Sequence, residues 1–443
     1  MIYYTDIALC AQGIQINFFA LTSLLAPHYN GFTDELRPKR RNNPLKTPTS
    51  AELAFLRRRA EQTFQRMPVL PRREDGRMTP ESRLRFELSM ESILENNRTL
   101  GACVVLRRPS GQYDVFCHGT ARLSGRVPVT EETCFRIASV SKLVMTFGVL
   151  ALCERGALNL DEDLSVYLGY PVRNPHFKDV PVTLRMLLTH TAAIRDEGNY
   201  GMRGMQKGCT LRELLENADN WLNAKPGEAF HYSNLGAGAA GVVMERAAEK
   251  PLDDIMQDLV FSPLAIRASY DPRRISPRSD LANGYSMRFP LPLLKYNAQA
   301  LAKRKPEPFD PERDYLCAAG RLITDSRGMA ALLGLLASHG EMGVLSAPSL
   351  DLMRAPQDGL GGVGQIGRGL NTAALPGVFP GFSPVGHQGV AYGMCAELFA
   401  DPTTGAGVGV MTSGTRLNRD TPPLMRVGFD LLTLGFASLR GAD

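Results

Sequence analysis

The stretch Phe135-Arg136-Ile137-Ala138-Ser139-Val140-Ser141-Lys142-Leu143-Val144-Met145-Thr146-Phe147 decides how this chain of 443 residues is read. The apolar run from Cys134 to Ala138 predicts a short strand that breaks at Ser139. Leu143, Met145, Phe147 and Leu150 then continue as a mostly buried helix to about Glu154. Ser139 and Lys142 form an S-x-x-K spacing. On the first turn of a helix, residues i and i+3 share a face, so the hydroxyl and the amine can meet. The partly positive helix N-terminus also favours a developing alkoxide at Ser139. A serine beside an amine that can take its proton is an activated nucleophile. Burial of Lys142 would supply that amine by disfavouring its charged form. Taken alone, the same residues also read as an ordinary helix start, with Ser139 or Ser141 as N-cap and Lys142 as a surface charge.

Two downstream motifs change that balance. Tyr232-Ser233-Asn234 begins 93 positions after Ser139, and His387-Gln388-Gly389 begins 248 after it. The phrases at 187–193 (LLTHTAA), 225–234 (KPGEAFHYSN), 319–324 (AGRLIT) and 386–389 (GHQG) surround them. From about Pro80 to the C-terminus, this order resembles the class C β-lactamase, DD-peptidase and esterase family of penicillin-recognising serine hydrolases. The resemblance implies an α+β, β-lactamase-like fold: an antiparallel sheet flanked by helices, with an inserted, mostly helical unit. It implies Ser139 as the nucleophile forming an acyl-enzyme and Lys142 as its proton acceptor. Tyr232 would pass a proton from Ser139 to the leaving group, its phenol acidified by Lys142 or His387. Asn234 would position Lys142 and contact the substrate's acyl side. His387 stands where the family more often has Lys and would donate to Tyr232. Gln388 stands where β-lactamases commonly use Thr or Ser to bind a substrate carboxylate. Gly389 would let substrate backbone approach the strand, and the backbone N–H groups of Val390 and Ser139 would form the oxyanion hole. In the family, the phrase containing His190 is structural, so His190 stays outside the catalytic set.

The expectation is therefore a serine hydrolase cleaving an ester or amide, in which His387 and Gln388 fit an esterase or D-amino-acid peptidase better than a β-lactamase. The alternative is a non-catalytic relative that binds peptidoglycan or a protein partner. No metal or organic cofactor is implied, because every role has a protein group. The implied partner is a small-molecule or peptide substrate.

Hydrophobic content of 44%, charged content of 21% and a net charge of +5 describe an ordinary globular protein. Much of the basic excess, including Arg37, Lys39, Arg40, Arg41, Arg57, Arg58 and Arg59, sits early in the chain without the interleaved aromatics of a nucleic-acid module, so nucleic acid is not expected. Residues 7–26 are apolar but interrupted by Gln12, Gln15 and Asn17, and no basic residue precedes them. A secretory signal needs such residues. Attachment to a membrane through this stretch is thus less favoured than a cytoplasmic location. The eight cysteines show no zinc spacing. Cys103 and Cys117 flank the turn at Pro109-Ser110-Gly111 symmetrically and would face each other on a hairpin.

Residues 1–78 read as an extension, 79–155 with 341–443 as an α/β unit, and 156–340 as a mostly helical unit. Thr79-Pro80 predicts a helix start, followed by strands over 101–106 and 113–118. Helices are expected over 182–188, 211–222, 237–248, 252–259 and 326–337, and a surface loop over 290–314. A strand run over 385–399 should pair with 407–412, and Pro422 should open a final helix. Gly362-Val-Gly-Gln-Ile-Gly367 fits a dinucleotide fingerprint by spacing only, since neither the preceding strand nor the following helix is predicted.

Overall fold

The computed structural model describes residues 50–196, 208–287, 291–357 and 368–442. The apolar stretch 7–26 and the Gly-rich run 362–367 lie outside them. Two helices come first, α1 (Ser50–Arg66) and α2 (Pro80–Asn96), the second capped by the Thr79 hydroxyl, which accepts the Ser82 N–H. The hairpin β1 (Gly101–Arg107) and β2 (Tyr113–Arg122) follows, then β3 (Val127–Pro128), β4 (Phe135–Arg136) and α3 (Val140–Glu154). The middle carries α4 (Leu164–Leu168), α5 (Leu184–Leu188), α6 (Leu211–Glu216), α7 (Asn234–Ala248) and α8 (Leu252–Met256). Next come β5 (Ala268–Ser269), β6 (Gly284–Met287), β7 (Pro292–Tyr296), α9 (Ala298–Ala302), α10 (Cys317–Gly320), β8 (Ile323–Thr324), α11 (Ser326–Ala337) and α12 (Ala347–Arg354). Last are β9 (Ala373–Ala374), β10 (Val385–Ala391), β11 (Met394–Ala400), β12 (Gly407–Ser413) and α13 (Arg426–Ser438).

A seven-stranded sheet in the order β3-β2-β1-β12-β11-β10-β9 organises these elements, every neighbouring pair antiparallel. Both faces are covered, so β1 reads as a continuous apolar run. Its alternating side chains enter different cores. Ala102, Val104 and Leu106 join α1, α2 and α13, whereas Cys103 and Val105 join α3, α11 and the helical region. On α2, Phe86, Met90 and Leu94 are buried at helical spacing, which gives one stripe against the sheet. Helix α3 is buried along nearly its whole length, as its apolar composition requires.

Several boundaries differ from the sequence reading. The run 385–399 is two strands, β10 and β11, turned at Tyr392 and Gly393, both with positive φ. The segment 290–314 is not all loop: Pro292–Tyr296 pairs with β6, and α9 follows. The final helix starts at Arg426, because Thr421 to Leu424 form a turn around the two prolines. From Ser50 onward, the stretch read as an extension supplies Leu53, Leu56, Ala60, Phe64 and Leu70 to the core beneath α13. Cys103 and Cys117 are paired in register with thiols 3.6 Å apart, and both are free. No described helix is long and apolar enough to cross a membrane.

Candidate active site

Ser139 sits at the junction between a short strand and a buried helix. β4 is fixed by pairing with β8, and the Ile137 N–H donates to Leu322 O at 2.9 Å. Ala138 then takes φ 47°, a left-handed conformation unusual for a residue with a side chain, and the chain enters α3. Ser141 ties this turn: its hydroxyl donates to Ala138 O at 2.5 Å and accepts the Leu322 N–H at 3.0 Å. The Ser139 hydroxyl makes no capping bond. Instead, Ser139 Oγ lies 3.0 Å from Lys142 Nζ and 2.8 Å from the Tyr232 hydroxyl. The ordinary reading of this stretch, a capping serine and a surface lysine, does not hold here, since Lys142 has no exposed surface.

Lys142 Nζ reaches three oxygens: Ser139 Oγ, Asn234 Oδ1 at 2.9 Å and Ala319 O at 2.5 Å. Burial pulls its pKa down to about 7, with Arg136 pushing the same way and Asp196 opposing. Near neutral pH, a substantial fraction is therefore uncharged amine. Tyr232 comes from the segment just before α7, with its ring 5.0 Å from Lys142 Nζ. Burial raises its pKa above the usual phenol range. This corrects the expectation of an acidified phenol: Tyr232 is a neutral hydroxyl that donates to Ser139.

His387 on β10 lies in the same cleft, its ring centroid 6.4 Å from that of Tyr232. Burial, then repulsion from Lys142, depress its pKa to about 3, so it is uncharged at neutral pH. Its Nδ1 lies 2.6 Å from Gln388 O. A carbonyl only accepts, so Nδ1 carries the proton and Nε2 is an acceptor. With its Nδ1 proton on Gln388 O and its Nε2 an acceptor, His387 at neutral pH does not make the donation to Tyr232 that was expected of it.

Gln388 is not brought to the cleft. Side chains alternate along a strand, and Gln388 faces the α13 side. Its amide NH2 donates to the buried Glu397, and its Oε1 accepts the Met425 N–H at 3.3 Å. Burial pushes the Glu397 carboxyl up to about 8. Gly389 brings β10 against the start of α3. A Cβ there would stand 2.1 Å from Ile137 O and 2.9 Å from Ser139 N, so only glycine fits. Val390, the next residue on β10, is half-buried and opposite Cys395.

Three neighbours were not in the expected set. His190 packs its ring 4.5 Å from Tyr232, accepts the Ser233 N–H on Nδ1 at 3.3 Å, and through its carbonyl accepts the His231 N–H at 2.7 Å. It thus holds the Tyr232 segment from both sides. Asp196 accepts from the backbone and amide N–H groups of Asn234, both at 2.8 Å, and from Ser233 Oγ at 2.9 Å. Nothing in the spacing of the sequence ties Asp196 to Asn234. Arg368 lies 3.9 Å over the Phe230 ring, and burial lowers its pKa to about 10, which leaves it charged at neutral pH.

A family model described as Beta-lactamase matches residues 89–431. The esterase EstB of Burkholderia gladioli is 32% identical over 211 residues, which are 43% of this chain and 53% of EstB. The chain spans about half the length of this relative, and less of the other curated relatives compared. The octameric penicillin-binding protein homologue of Pyrococcus abyssi superposes with a TM-score of 0.65 at 20% identity, over 81% of this chain and 77% of that one. The hydrolase EstCE1 superposes with a TM-score of 0.64 at 23% identity, over 81% of this chain and 98% of its own. These structures share the fold. With a match spanning most of its length, the chain belongs to the Beta-lactamase family, a family of serine hydrolases with an α+β fold.

Proposed function

We propose that the protein cleaves an ester or amide in a small-molecule or peptide substrate through an acyl-enzyme on Ser139. The observation that carries this reading is the hydrogen-bond order at Ser139 Oγ. Asn234 Oδ1 and Ala319 O can only accept from Lys142, so a neutral Lys142 has its lone pair left for the Ser139 O–H. Tyr232 meanwhile donates to Ser139 Oγ from the other side. As Oγ bonds to the substrate's carbonyl carbon, its proton passes to Lys142 Nζ and the carbonyl electrons move onto oxygen. The backbone N–H groups of Ser139 and Val390 receive that oxyanion. Collapse re-forms the carbonyl and breaks the bond to the leaving group, which takes a proton from Lys142 through the Tyr232 hydroxyl. Water then repeats the sequence on the acyl-enzyme.

Among substrates, an ester or neutral amide fits better than a β-lactam. The position where the family more often has Lys holds a neutral His387, which leaves Arg368 as the neighbouring cation, and Gln388 is engaged with Glu397 on the far side of the strand. The relative EstB is named an esterase, which agrees. The test is intact-mass spectrometry after exposure to a fluorophosphonate and, separately, to a penicillin, with Ser139→Ala alongside. The expected result is a fluorophosphonate adduct on wild type alone, mapped to Ser139, with no lasting penicilloyl adduct. A stable penicilloyl adduct would move the reading to a DD-peptidase-like site. Folded protein that takes neither label would favour a non-catalytic binding role.

A further inference from the structure

We propose that Asp196 is a positioning residue that sets the direction of proton transfer between Ser139 and Lys142 by locking the side-chain amide of Asn234 in one orientation. The inference rests on the acyl-enzyme reading above. A terminal amide has two nearly isosteric ends, one donating and one accepting, and it turns to suit its partners. At Asn234 one end faces Lys142 Nζ at 2.9 Å and the other faces an Asp196 oxygen at 2.8 Å. A carboxylate only accepts, so the NH2 end must face Asp196 and the oxygen must face Lys142. Lys142 is then obliged to donate to Asn234, as it does to Ala319 O. For the neutral amine, only the lone pair remains for Ser139. Reversing the amide would present N–H groups to Lys142, draw the lone pair away from Ser139 and disable the base.

Asp196 is held where this requires. The preceding residues are tied to a neighbouring segment, with Arg195 N–H donating to Asn220 O at 2.9 Å and Leu222 N–H to Ala193 O at 2.8 Å. Its carboxylate takes four donors, the fourth being the Leu235 N–H at 3.2 Å. A simple cap for α7 is not its whole role, because Ser233 already caps that helix through the Gly236 N–H at 2.9 Å. The contact to the Asn234 side chain adds nothing to the helix end. The groups acting on Lys142 are Asp196 and, from β4, Arg136, with Tyr232, His190 and His387 around the same cleft. Of these, Asp196 alone raises the Lys142 pKa, against desolvation and Arg136.

The experiment is the rate of fluorophosphonate labelling at Ser139, followed by intact mass from pH 5 to 9. Wild type, Asp196→Asn, Asp196→Glu and Ser233→Ala are compared, each checked for folding by circular dichroism and melting. Asp196→Asn leaves one acceptor for four donors and frees the amide to turn. Labelling should fall about 10-fold to 100-fold, the range for losing a hydrogen bond to a charged group. Its acid limb should also move to lower pH, because the influence that raised the Lys142 pKa is gone. Asp196→Glu keeps the charge at the end of α7, and with it the fold, but displaces the carboxylate; it should lose rate and keep the wild-type limb. Ser233→Ala should lower the melting temperature with little change in limb position. Wild-type rate and limb in folded Asp196→Asn would overturn the proposal. If that variant does not fold, wild-type labelling by Asp196→Glu would do so. Wild type that takes no label at Ser139 would instead sink the acyl-enzyme reading itself.

Discussion

Replacing Gly389 by alanine tests how tightly the strand must approach Ser139. The added Cβ would stand 2.1 Å from Ile137 O, 2.9 Å from Ser139 N and 3.0 Å from Val140 N. Ordinary contact begins at 3.4 Å, so β10 and the start of α3 must separate by about 1 Å. The atoms in the way are backbone, fixed on one side by pairing of β10 with β11 and on the other by the Ser141 bonds. Overpacking of this kind costs about 1–3 kcal/mol, an amount a domain of this size survives with a melting temperature a few degrees lower. The chemical consequence is larger. The Val390 and Ser139 N–H groups proposed to receive the oxyanion would be drawn apart, and a displacement near 1 Å costs on the order of 10²-fold in rate. Fluorophosphonate labelling of Ser139 by intact mass, with circular dichroism and thermal melting, reads both effects. Folded Gly389→Ala that labels within about twofold of wild type would refute the argument that this close approach builds the site.

Other consequences are open to measurement. Lys142 accepts a proton only when neutral, and with its pKa drawn down to about 7 the labelling rate should rise with pH through that region. A rate that stays flat from pH 5 to 9 would remove Lys142 as the base. A chain beginning at Thr79 lacks Leu53, Leu56, Phe64 and Leu70, whose burial is worth on the order of 6–12 kcal/mol before ordering entropy is subtracted. It also loses the Arg59–Asp430 ion pair at 3.0 Å. It should melt well below the full chain or precipitate, and an unchanged melting temperature would contradict the packing of α1 described above. Cys103 and Cys117 should close to a disulfide under diamide, which takes up the two electrons and two protons released. Intact mass would then show the loss of two hydrogens in wild type and none in Cys103→Ser; wild type that loses none would rule the pairing out.

Much of the geometry around Ser139 was legible because its parts are local or have few alternatives. S-x-x-K on the first turn of a helix fixes the Ser139–Lys142 relation by helix spacing alone. The helix over Ser326–Ala337 was expected with the same ends, Asp325 capping it through the Gly328 N–H. The orientation of Gln388 was also within reach, since strand alternation sends it to the face opposite His387; the motif suggested otherwise. What stayed hidden depends on contacts between distant segments. Asp196 meets Asn234 only through the path of an irregular loop, which no periodicity encodes. The phenol of Tyr232 was expected to be acidified by Lys142 or His387, but burial dominates its pKa and also leaves His387 uncharged, and burial is set by the assembled fold. The core role of α1 was masked by the Pro- and Arg-rich sequence around it.

The central pairing of the sheet carries a consequence for synthesis. β1 is joined on one side to β2, its neighbour in sequence, and on the other to β12, with Arg107 opposite Gly407. Three hundred residues separate those two positions. At about 5–20 residues per second, a ribosome needs roughly 15–60 s to deliver the second edge after the first has emerged. Throughout that interval, Ala102, Cys103, Val104, Val105 and Leu106 present an apolar strand with one open side, the kind of edge that recruits foreign strands. The helix that begins at Ser139 is made early in that same interval, while β10 and its Gly389 arrive near the end. A nascent chain therefore holds Ser139 and Lys142 long before it holds a site, and its yield in the cell should depend on what shields β1 while it waits.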